Sequence, residues 1–257
     1  MTSIKIATYN VNGIRAAAKK GLYDWFEQEQ YDVICLQETK AQEEQIDIAG
    51  LEELGYHCNW YSAQKKGYSG VGILSKMKPT NVVKGMGNDK YDSEGRILRA
   101  DFGDWSIISA YFPSGSSGEL RQQYKFEFLD DFSVYIKELI KERPKLIVSG
   151  DYNVCHLDID IHNPSKQHKT SGFLPEERAW LDNYFENDFI DVFREFNSDP
   201  HHYSWWSYRA GARGNNKGWR IDYNAATLPL KKHLRSSAIR PDAVHSDHCP
   251  VEMSLEI

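Results

Sequence analysis

Polar side chains that could carry out hydrolytic chemistry stand at the ends of apolar segments of this 257-residue chain. Six separate segments supply them: Asn10 and Asn12, Glu38, Tyr111, Asp151 and Asn153, Asp222, and Asp247 with His248. A single residue of this kind is typical of a turn or a helix cap, where Asn and Asp bond to the backbone. Their recurrence at the ends of apolar segments instead predicts a site that loops build on a rigid scaffold.

The oxygen donors in this set favour a divalent-metal site. Glu38 and Asp247, with Asn10 or Asn12, offer the hard ligands that suit Mg²⁺ or Mn²⁺. A carboxylate bound to one nitrogen of His248 would leave the other nitrogen facing a substrate oxygen. The sequence has neither a GxxxxGK[ST] loop nor a GxSxG elbow, which counts against nucleotide triphosphate chemistry and the α/β-hydrolases. Metal-assisted attack of water on a phosphate ester is the chemistry that remains.

Strands and helices must position these residues. Apolar, β-branched segments predict strands over 4–11, 32–38, 71–75, 97–102, 105–112, 145–154, 219–227 and 250–257. Apolar residues spaced by three and four predict helices over 21–30, 43–54, 119–142 and 175–186. If the last strand is antiparallel to its neighbours, its start brings Asp247 and His248 to the edge where the other strands end. The pattern predicts mixed α/β layers, and the lack of a linker predicts one domain over residues 1–257.

Composition limits the class of protein. With Lys+Arg 31 against Asp+Glu 37, the net charge of −6 excludes a surface that is basic everywhere. The four cysteines, without a CxxC pair, predict reduced thiols and a cytoplasmic location. We also expect no signal peptide and no membrane-spanning segment.

Eight short motifs carry a resemblance to a known family. They are YNVNGIRA (9–16), LQETK (36–40), SGVGILS (69–75), SAYFPSG (109–115), GDYNVCHLDIDIHNP (150–164), SGFLPEERAWL (171–181), GWRIDY (218–223) and SDHCP (246–250). In this order, and over nearly the whole chain, they resemble the exonuclease III family of apurinic/apyrimidinic endonucleases, within the endonuclease/exonuclease/phosphatase superfamily. The resemblance implies a four-layer α/β sandwich, in which two packed, mixed and mostly antiparallel sheets are flanked by helices.

The resemblance also implies a role for each site residue. Glu38 would be the main metal ligand, with Asn10, Asn12 and Asp247 close by. Asp151 and Asn153 would position or deprotonate the attacking water, and the metal site would include both of them and His248. Asp222 would orient His248, and His248 would hold a non-bridging phosphate oxygen. Tyr111 would touch the same phosphate or the leaving oxygen.

The implied reaction is hydrolysis of the phosphodiester 5′ to an abasic site in duplex DNA, with Mg²⁺ as cofactor and Mn²⁺ as a possible substitute. A 3′→5′ exonuclease and a 3′-phosphatase or phosphodiesterase are expected beside it, acting on duplexes with blocked 3′ ends. No membrane and no obligate protein partner is expected. Trp205, Trp219 and Ile221 would form the pocket that receives the abasic sugar. Because alternate strand residues face opposite sides, we expect Trp205 rather than Trp206 to face the site.

The sequence departs from familiar members of the family at several DNA-contacting positions. Asn12 stands where some members carry Asp, Ser114 replaces a longer amide, and Gln167 and Thr170 occupy loop positions that are often Asn. Arg209 lies where the human member has an apolar wedge, and Ser116 and Ser117 lie where that member has an Arg. We expect Arg209 to fill the gap opposite the missing base.

Two alternatives remain open: another metal-dependent phosphoesterase of the superfamily, and a non-catalytic DNA-binding protein on the same fold. The motifs at 150–164 and 218–223 favour the DNA repair branch. Segment 201–240 holds eight Lys and Arg residues against Asp222, a net charge of +7. This segment predicts a basic rim that grips DNA, with binding that weakens steeply with salt.

Overall fold

Two six-stranded sheets form the centre of the molecule in a computed structural model that describes residues 2–257. Sheet 1 contains, in spatial order, β11 (Leu234–Ile239), β12 (Val251–Glu256), β1 (Ser3–Asn10), β2 (Val33–Gln37), β4 (Val71–Ser75) and β3 (His57–Tyr61). Sheet 2 contains β5 (Asn81–Lys84), β6 (Ile97–Phe102), β7 (Trp105–Tyr111), β8 (Lys145–Asp151), β10 (Asp222–Thr227) and β9 (Phe189–Asp191). Within residues 2–257, only β1–β2 and β7–β8 pair in parallel, so both sheets are mixed and mostly antiparallel.

Helices cover the outer faces of the sheets. They are α1 (Ile14–Ala18), α2 (Leu22–Glu29), α3 (Ile48–Glu53), α4 (Asp89–Asp92), α5 (Glu119–Glu142) and α6 (Pro175–Asn187), whereas α7 (Val192–Phe196) packs against β11 of sheet 1 and β10 of sheet 2. Trp25 and Phe26 of α2 pack on the outer face of sheet 1, and Phe128 and Phe132 of α5 pack on that of sheet 2. A third apolar cluster fills the space between the sheets. The predicted four-layer sandwich is confirmed.

The residues that face the space between the sheets change in character along the strands. At one end they are apolar, as at Ile6, Cys35, Ile107 and Ile147. Next comes a buried polar layer formed by Thr8, Gln37, Ser109, Ser149 and Asn224. At the other end stand Asn10, Tyr111, Asp151 and Asp222. Because strand side chains alternate between faces, each of these residues lies two positions from its neighbour in the polar layer.

The polar layer ties one sheet to the other. Gln37 Nε2 in sheet 1 donates to Ser109 Oγ in sheet 2 at 3.1 Å, and Thr8 Oγ1 donates to Gln37 Oε1 at 3.1 Å. Asn224 Nδ2 in sheet 2 donates to the carbonyl of Val251 in sheet 1 at 2.9 Å. Buried amides that are fully bonded in this way fix the relative position of the elements they join.

Several predicted boundaries were wrong. The helix predicted over 43–54 is a single 3-10 turn, Glu43–Gln45, followed by α3, because the Asp47 side chain caps α3 by accepting from Gly50 N at 3.2 Å. The strand predicted over 219–227 begins only at Asp222, since Trp219 forms isolated bridges with Trp205 and Ile161. The short strands β3, β5, β9 and β11 were not predicted.

No helix among residues 2–257 combines the length and apolarity needed to cross a membrane. The four cysteines are free thiols, as predicted.

Candidate active site

Strand register brings the predicted site residues to one edge of the sandwich. In sheet 1, Asn10 pairs with Gln37, the residue before Glu38. In sheet 2, Asp151 pairs with Tyr111 on one side and with Asp222 on the other. β12 runs antiparallel to β1, so Asp247 and His248, which precede it, reach the same edge, as predicted.

Three site residues leave their strands in a left-handed conformation. Asn12, Glu38 and Asn153 have φ of 45°, 50° and 52°. Asn adopts this conformation readily, but Glu38 is held there by bonds on both sides, including Gly13 N to the Glu38 carbonyl at 2.7 Å. Backbone strain of this kind concentrates where a side chain must be aimed at a site.

Glu38, Asp151 and His248 form a compact cluster of potential metal ligands. One ligand atom from each lies within 4.8 Å of the others. The Nδ2 of Asn10 donates to Glu38 Oε1 and to Asp151 Oδ2, both at 2.8 Å. The Oδ1 of Asn10 accepts from Asn12 N at 3.0 Å, so Asn10 aligns the two carboxylates and turns its oxygen away from them.

Asn12, Asp247 and Lys40 form a second group beside this cluster. Asn12 Nδ2 donates to Asp247 Oδ1 at 2.8 Å, and Lys40 Nζ donates to Asn12 Oδ1 at 2.5 Å. Lys40 Nζ also lies 2.7 Å from Glu38 Oε2. Trp205 Nε1 donates to the other oxygen of Asp247 at 3.1 Å. Asp247 therefore connects Asn12, beside the acidic cluster, to the indole of Trp205.

His248 is held by a buried chain of hydrogen bonds. Its Nδ1 lies 2.9 Å from Asp222 Oδ2, which also accepts from Ser204 Oγ at 2.6 Å. Ser204 Oγ in turn accepts from the backbone N–H groups of Ile221 and Asp222, both at 3.1 Å. The Nε2 of His248 faces the cluster, 3.9 Å from Asp151 Oδ2.

Burial and charge set the protonation of the site. Burial alone would lower the pKa of His248, but Asp222, with Asp151 and Asp247, raises it to about 10. Burial raises the pKa of Asp151, as do the nearby charges of Asp222 and Glu38. Burial opposes ionisation of Glu38, yet Lys40 and Asn10 hold its pKa below the ordinary value. Burial raises the pKa of Tyr111 far above its ordinary value, which keeps the phenol neutral.

The residues present fit a divalent cation. Four carboxylates, Glu38, Asp151, Asp222 and Asp247, stand at the cluster, with Lys40 and a protonated His248 as the cations paired with them. Burial, with the neighbouring charges of Asp222 and Glu38, raises the pKa of Asp151, so that keeping this carboxylate ionised is costly. A hard, oxygen-preferring ion beside Glu38 and Asp151 would offset it.

An apolar wall shares one cavity with the acidic cluster. Trp205, Trp219 and Ile221 line a cavity of about 320 Å³ together with Glu38, Asp151 and His248. The two indole rings meet edge to face, with centroids 5.9 Å apart. Trp206 is buried elsewhere, under Arg213, so Trp205 has the orientation that the alternation predicted.

The other predicted DNA contacts are spread around the rim of this cavity. Ser114 and Thr170 line it, and Ser114 bonds to Ser116 at 2.9 Å. Gln167 is held outside by Thr170, whose Oγ1 donates to Gln167 Oε1 at 2.9 Å. Arg209 is exposed in the 3-10 turn Arg209–Gly211, beyond the residues that line the cavity.

The single basic rim predicted over 201–240 does not include all eight cations of that segment. Arg220 is fully buried between Asp160 and Asp191, at 2.8 and 2.6 Å. The remaining engaged cations are Arg213, on backbone carbonyls, and Arg240, Lys231 and Arg235, which pair with Glu29, Glu195 and Glu256. Lys231 and Lys232 follow the far end of β10, whereas Asp222 begins that strand. Net charge along a segment does not reveal which of its cations are used inside the fold.

Sequence reasoning missed Ser204, Lys40 and the polar layer. Lys40 ends the LQETK motif and Ser204 belongs to a common residue type, but nothing in the sequence shows that they bond to Glu38 and Asp222. The polar layer had a signal, namely polar residues two positions inside each site residue, as in Ser149–Asp151 and Asp222–Asn224.

Comparisons with known proteins agree with this geometry. The sequence pattern of the Endonuclease/Exonuclease/phosphatase family matches residues 7–248. The chain is 40% identical to the exodeoxyribonuclease of Bacillus subtilis (strain 168) over 256 residues, which are 99% of this chain and 100% of that protein. It is 40% identical to DNA repair nuclease APEX1 of Danio rerio over 258 residues, covering 99% of this chain and 83% of that one.

A solved structure of an AP endonuclease from Archaeoglobus fulgidus superposes with a TM-score of 0.90 at 30% identity, covering 99% of this chain and 100% of that one. The family match spans every strand end that carries the site, from Asn10 to His248. By this match and by relatives aligned over nearly its whole length, the chain belongs to the endonuclease/exonuclease/phosphatase family.

Proposed function

We propose that the protein is a DNA repair nuclease that hydrolyses the phosphodiester 5′ to abasic sites in duplex DNA and leaves a 3′-hydroxyl. The observation that carries this proposal is the shared cavity, in which Trp205, Trp219 and Ile221 face the acidic cluster. An abasic nucleotide has no base to unstack, so it leaves the duplex at low cost, and a tight aromatic pocket rejects nucleotides with a base. The relatives named as an exodeoxyribonuclease and an AP endonuclease support this substrate class.

We propose Mg²⁺ as the cofactor, with Mn²⁺ as a substitute, bound by Glu38 and Asp151. When bound, the ion would stabilise the extra negative charge of the pentavalent phosphate. Asn10 would keep the two carboxylates aligned through its N–H donors, and Asn12 would hold Asp247 beside them. We assign His248 to the phosphate rather than to the ion, because Asp222 holds its Nδ1 and its Nε2 faces the cavity.

Asp151 and His248 would have different roles in proton transfer. His248, kept protonated by Asp222, would donate from Nε2 to a non-bridging phosphate oxygen. Asp151, which Asn10 holds beside Glu38, would take the proton of the attacking water. Tyr111, a neutral phenol, would donate to the phosphate or the leaving oxygen. Asn153 would act by holding Asp151, since its backbone N–H donates to Asp151 Oδ1 at 2.8 Å.

The same water attack removes a nucleotide or a phosphate from a 3′ end, which supports exonuclease and 3′-phosphatase or phosphodiesterase activity. Ser114, Gln167 and Thr170 would contact the DNA backbone, and Arg209 would face the gap opposite the missing base. The cytoplasmic location and the absence of an obligate protein partner stay predictions.

Incision of an oligonucleotide duplex with one abasic site tests the proposal. We expect incision with Mg²⁺, none with EDTA, and a loss of several orders of magnitude in Asp151→Asn and His248→Ala while duplex binding persists. Cleavage of a non-DNA phosphoester alone would indicate another enzyme of the superfamily. Binding without any cleavage would indicate a non-catalytic protein.

A further inference from the structure

A buried ion pair lies behind the active site, where α5 meets the start of α6. Lys125 and Glu177 are both fully buried, and Lys125 Nζ donates to Glu177 Oε1. Moving two charges out of water is costly, so further hydrogen bonds must satisfy such a pair. Those further bonds lead to the two loops that line the cavity.

Lys125 reaches the loop that carries Asp151 and Asn153. Its Nζ donates to the backbone carbonyl of Asn153 at 2.8 Å. Asn153 has a left-handed backbone, and its side chain donates to the carbonyl of Phe112 at 2.9 Å. Since Asn153 N donates to Asp151 Oδ1, Lys125 holds the residue whose N–H aims the Asp151 carboxylate.

Glu177 reaches the second loop. Its Oε2 accepts from Gly172 N at 2.6 Å and from Leu174 N at 3.0 Å. Gln122 Nε2 donates to its other oxygen at 3.1 Å. Thr170 and Ser171, directly before Gly172, line the cavity.

The two loops meet at Gly172, against the aromatic wall. Its carbonyl accepts from Cys155 N at 2.7 Å. A side chain there would come within 3.0 Å of both the Asn153 carbonyl and the ring of Trp219, and its φ of +93° favours glycine. A shift of one loop is therefore transmitted to the other and to Trp219.

We propose that Lys125 and Glu177 are positioning residues, which set the distance between the reacting groups at Asp151 and Asn153 and the pocket wall at Ser171 and Trp219. Neither residue lines the cavity. The inference rests on the proposed function, because its readout is turnover at that site.

The test compares kcat and KM for incision of an abasic duplex with Mg²⁺. Lys125→Met/Glu177→Gln removes both charges together, so that no ion is left buried alone, and the glutamine keeps an oxygen for the Gly172 and Leu174 N–H groups. We expect kcat to fall at least tenfold, with KM changed less than threefold and Tm lowered by less than about 5 °C. Lys141→Met/Glu138→Gln, which removes an exposed pair on the same helix, should keep kcat within twofold.

A double-mutant cycle separates positioning from general destabilisation. If Lys125 acts by fixing the backbone of Asn153, the double substitution should lower kcat less than twofold in an Asn153→Ala background, because loss of the Asn153–Phe112 bond already frees that left-handed backbone. An unchanged kcat in the wild-type background, or equal fold-losses in both backgrounds, would overturn the inference.

If the double variant does not fold, Lys125→Arg, whose larger head group must displace the Asn153 carbonyl, is put through the same cycle with the same criterion. If the wild-type protein does not incise the duplex, the proposed function fails. The cycle is then run on bis(p-nitrophenyl) phosphate, so that the role of the pair is still decided.

Discussion

His248 and Asp222 form a buried pair in which Nδ1 lies 2.9 Å from Oδ2, and Ser204 holds the same carboxylate oxygen at 2.6 Å. The pair joins the loop before β12 of sheet 1 to the first residue of β10 in sheet 2. The protonation of His248 therefore depends on how the two sheets are packed together.

The first prediction concerns pH. The pKa of about 10 keeps His248 protonated through neutral pH, and the stability that the pair contributes is present below about pH 6.5 and lost as pH rises through about 10. Asp222→Asn removes the anion, so the pKa of His248 should fall and kcat should drop about 10²–10⁴-fold, with a further decline as pH rises above neutrality. A kcat–pH profile from pH 6 to 9.5 checks this, with Asp104→Asn, at the exposed partner of Lys145, as control. An unchanged profile would refute the assigned role.

The second prediction concerns the effect of Asp151 on the free energy of unfolding. Because burial and neighbouring carboxylates raise the pKa of Asp151, its ionised form is destabilising in the metal-free protein above about pH 4. Asp151→Asn should abolish incision yet raise the free energy of unfolding by about 1–3 kcal/mol, roughly 2–10 °C in Tm. Thermal unfolding in EDTA at pH 8 measures the gain, and a lower Tm for the variant would contradict it. Added Mg²⁺ should stabilise the wild-type protein more than the variant.

The third prediction concerns selectivity. Trp219→Ala opens the aromatic wall beside Trp205, so incision at an abasic site should lose about 10–100-fold in kcat/KM, or ~1.4–2.7 kcal/mol. Removal of nucleotides from an undamaged 3′ end should fall much less. Two labelled duplexes in one reaction give this ratio directly. Equal losses on both substrates would mean that the wall does not select the abasic nucleotide.

The fourth prediction concerns the polar layer. Gln37→Leu removes the bond from sheet 1 to Ser109 and leaves the Thr8 hydroxyl without its acceptor. Leaving buried polar groups unpaired should cost about 1–3 kcal/mol. Mg²⁺ should also bind more weakly, because Glu38 follows β2 of sheet 1 whereas Asp151 ends β8 of sheet 2. Urea unfolding and calorimetric titration measure the two effects, and Gln123→Leu on the surface of α5 is the control.

The fifth prediction separates structural from DNA-binding arginines. Arg220→Met removes the buried cation from Asp191 and leaves Asp160 with Arg194 alone, which should cost ~3–5 kcal/mol of stability. The salt dependence of DNA binding should not change in that variant at temperatures where it is folded.

Arg209→Ala should leave stability unchanged and reduce the slope of log K against log salt by about 1 if Arg209 contacts a phosphate. Binding titrations at several salt concentrations check both, and an unchanged slope for Arg209→Ala would remove Arg209 from the interface.

Much of the fold was readable from the sequence, because the buried strands are long, apolar and β-branched. Helix α5 starts and ends at the predicted residues 119 and 142, because its apolar stripe is regular over many turns. The short edge strands β5 and β9 carry little pattern of their own and form because a neighbouring strand offers hydrogen bonds. Their existence depends on tertiary pairing, which no local window contains.

Most residues of the site were predictable from the sequence, whereas the hydrogen bonds between them were not. Strand-end residues such as Asp151 and His248 were identified because polar groups interrupt apolar runs. The sequence does not show that Asn10 directs its nitrogen to both carboxylates, or that Arg220 is an interior cation. Those facts depend on rotamers and burial that only the packed sheets define.

Incision 5′ to an abasic site is tested most directly by mapping the ends produced from a duplex with one abasic site. The damaged strand is labelled at both ends. We predict one Mg²⁺-dependent incision 5′ to the abasic residue. The upstream product of that incision should carry a 3′-hydroxyl that a DNA polymerase extends. Incision on the 3′ side, incision that persists in EDTA, or no incision at all would contradict it.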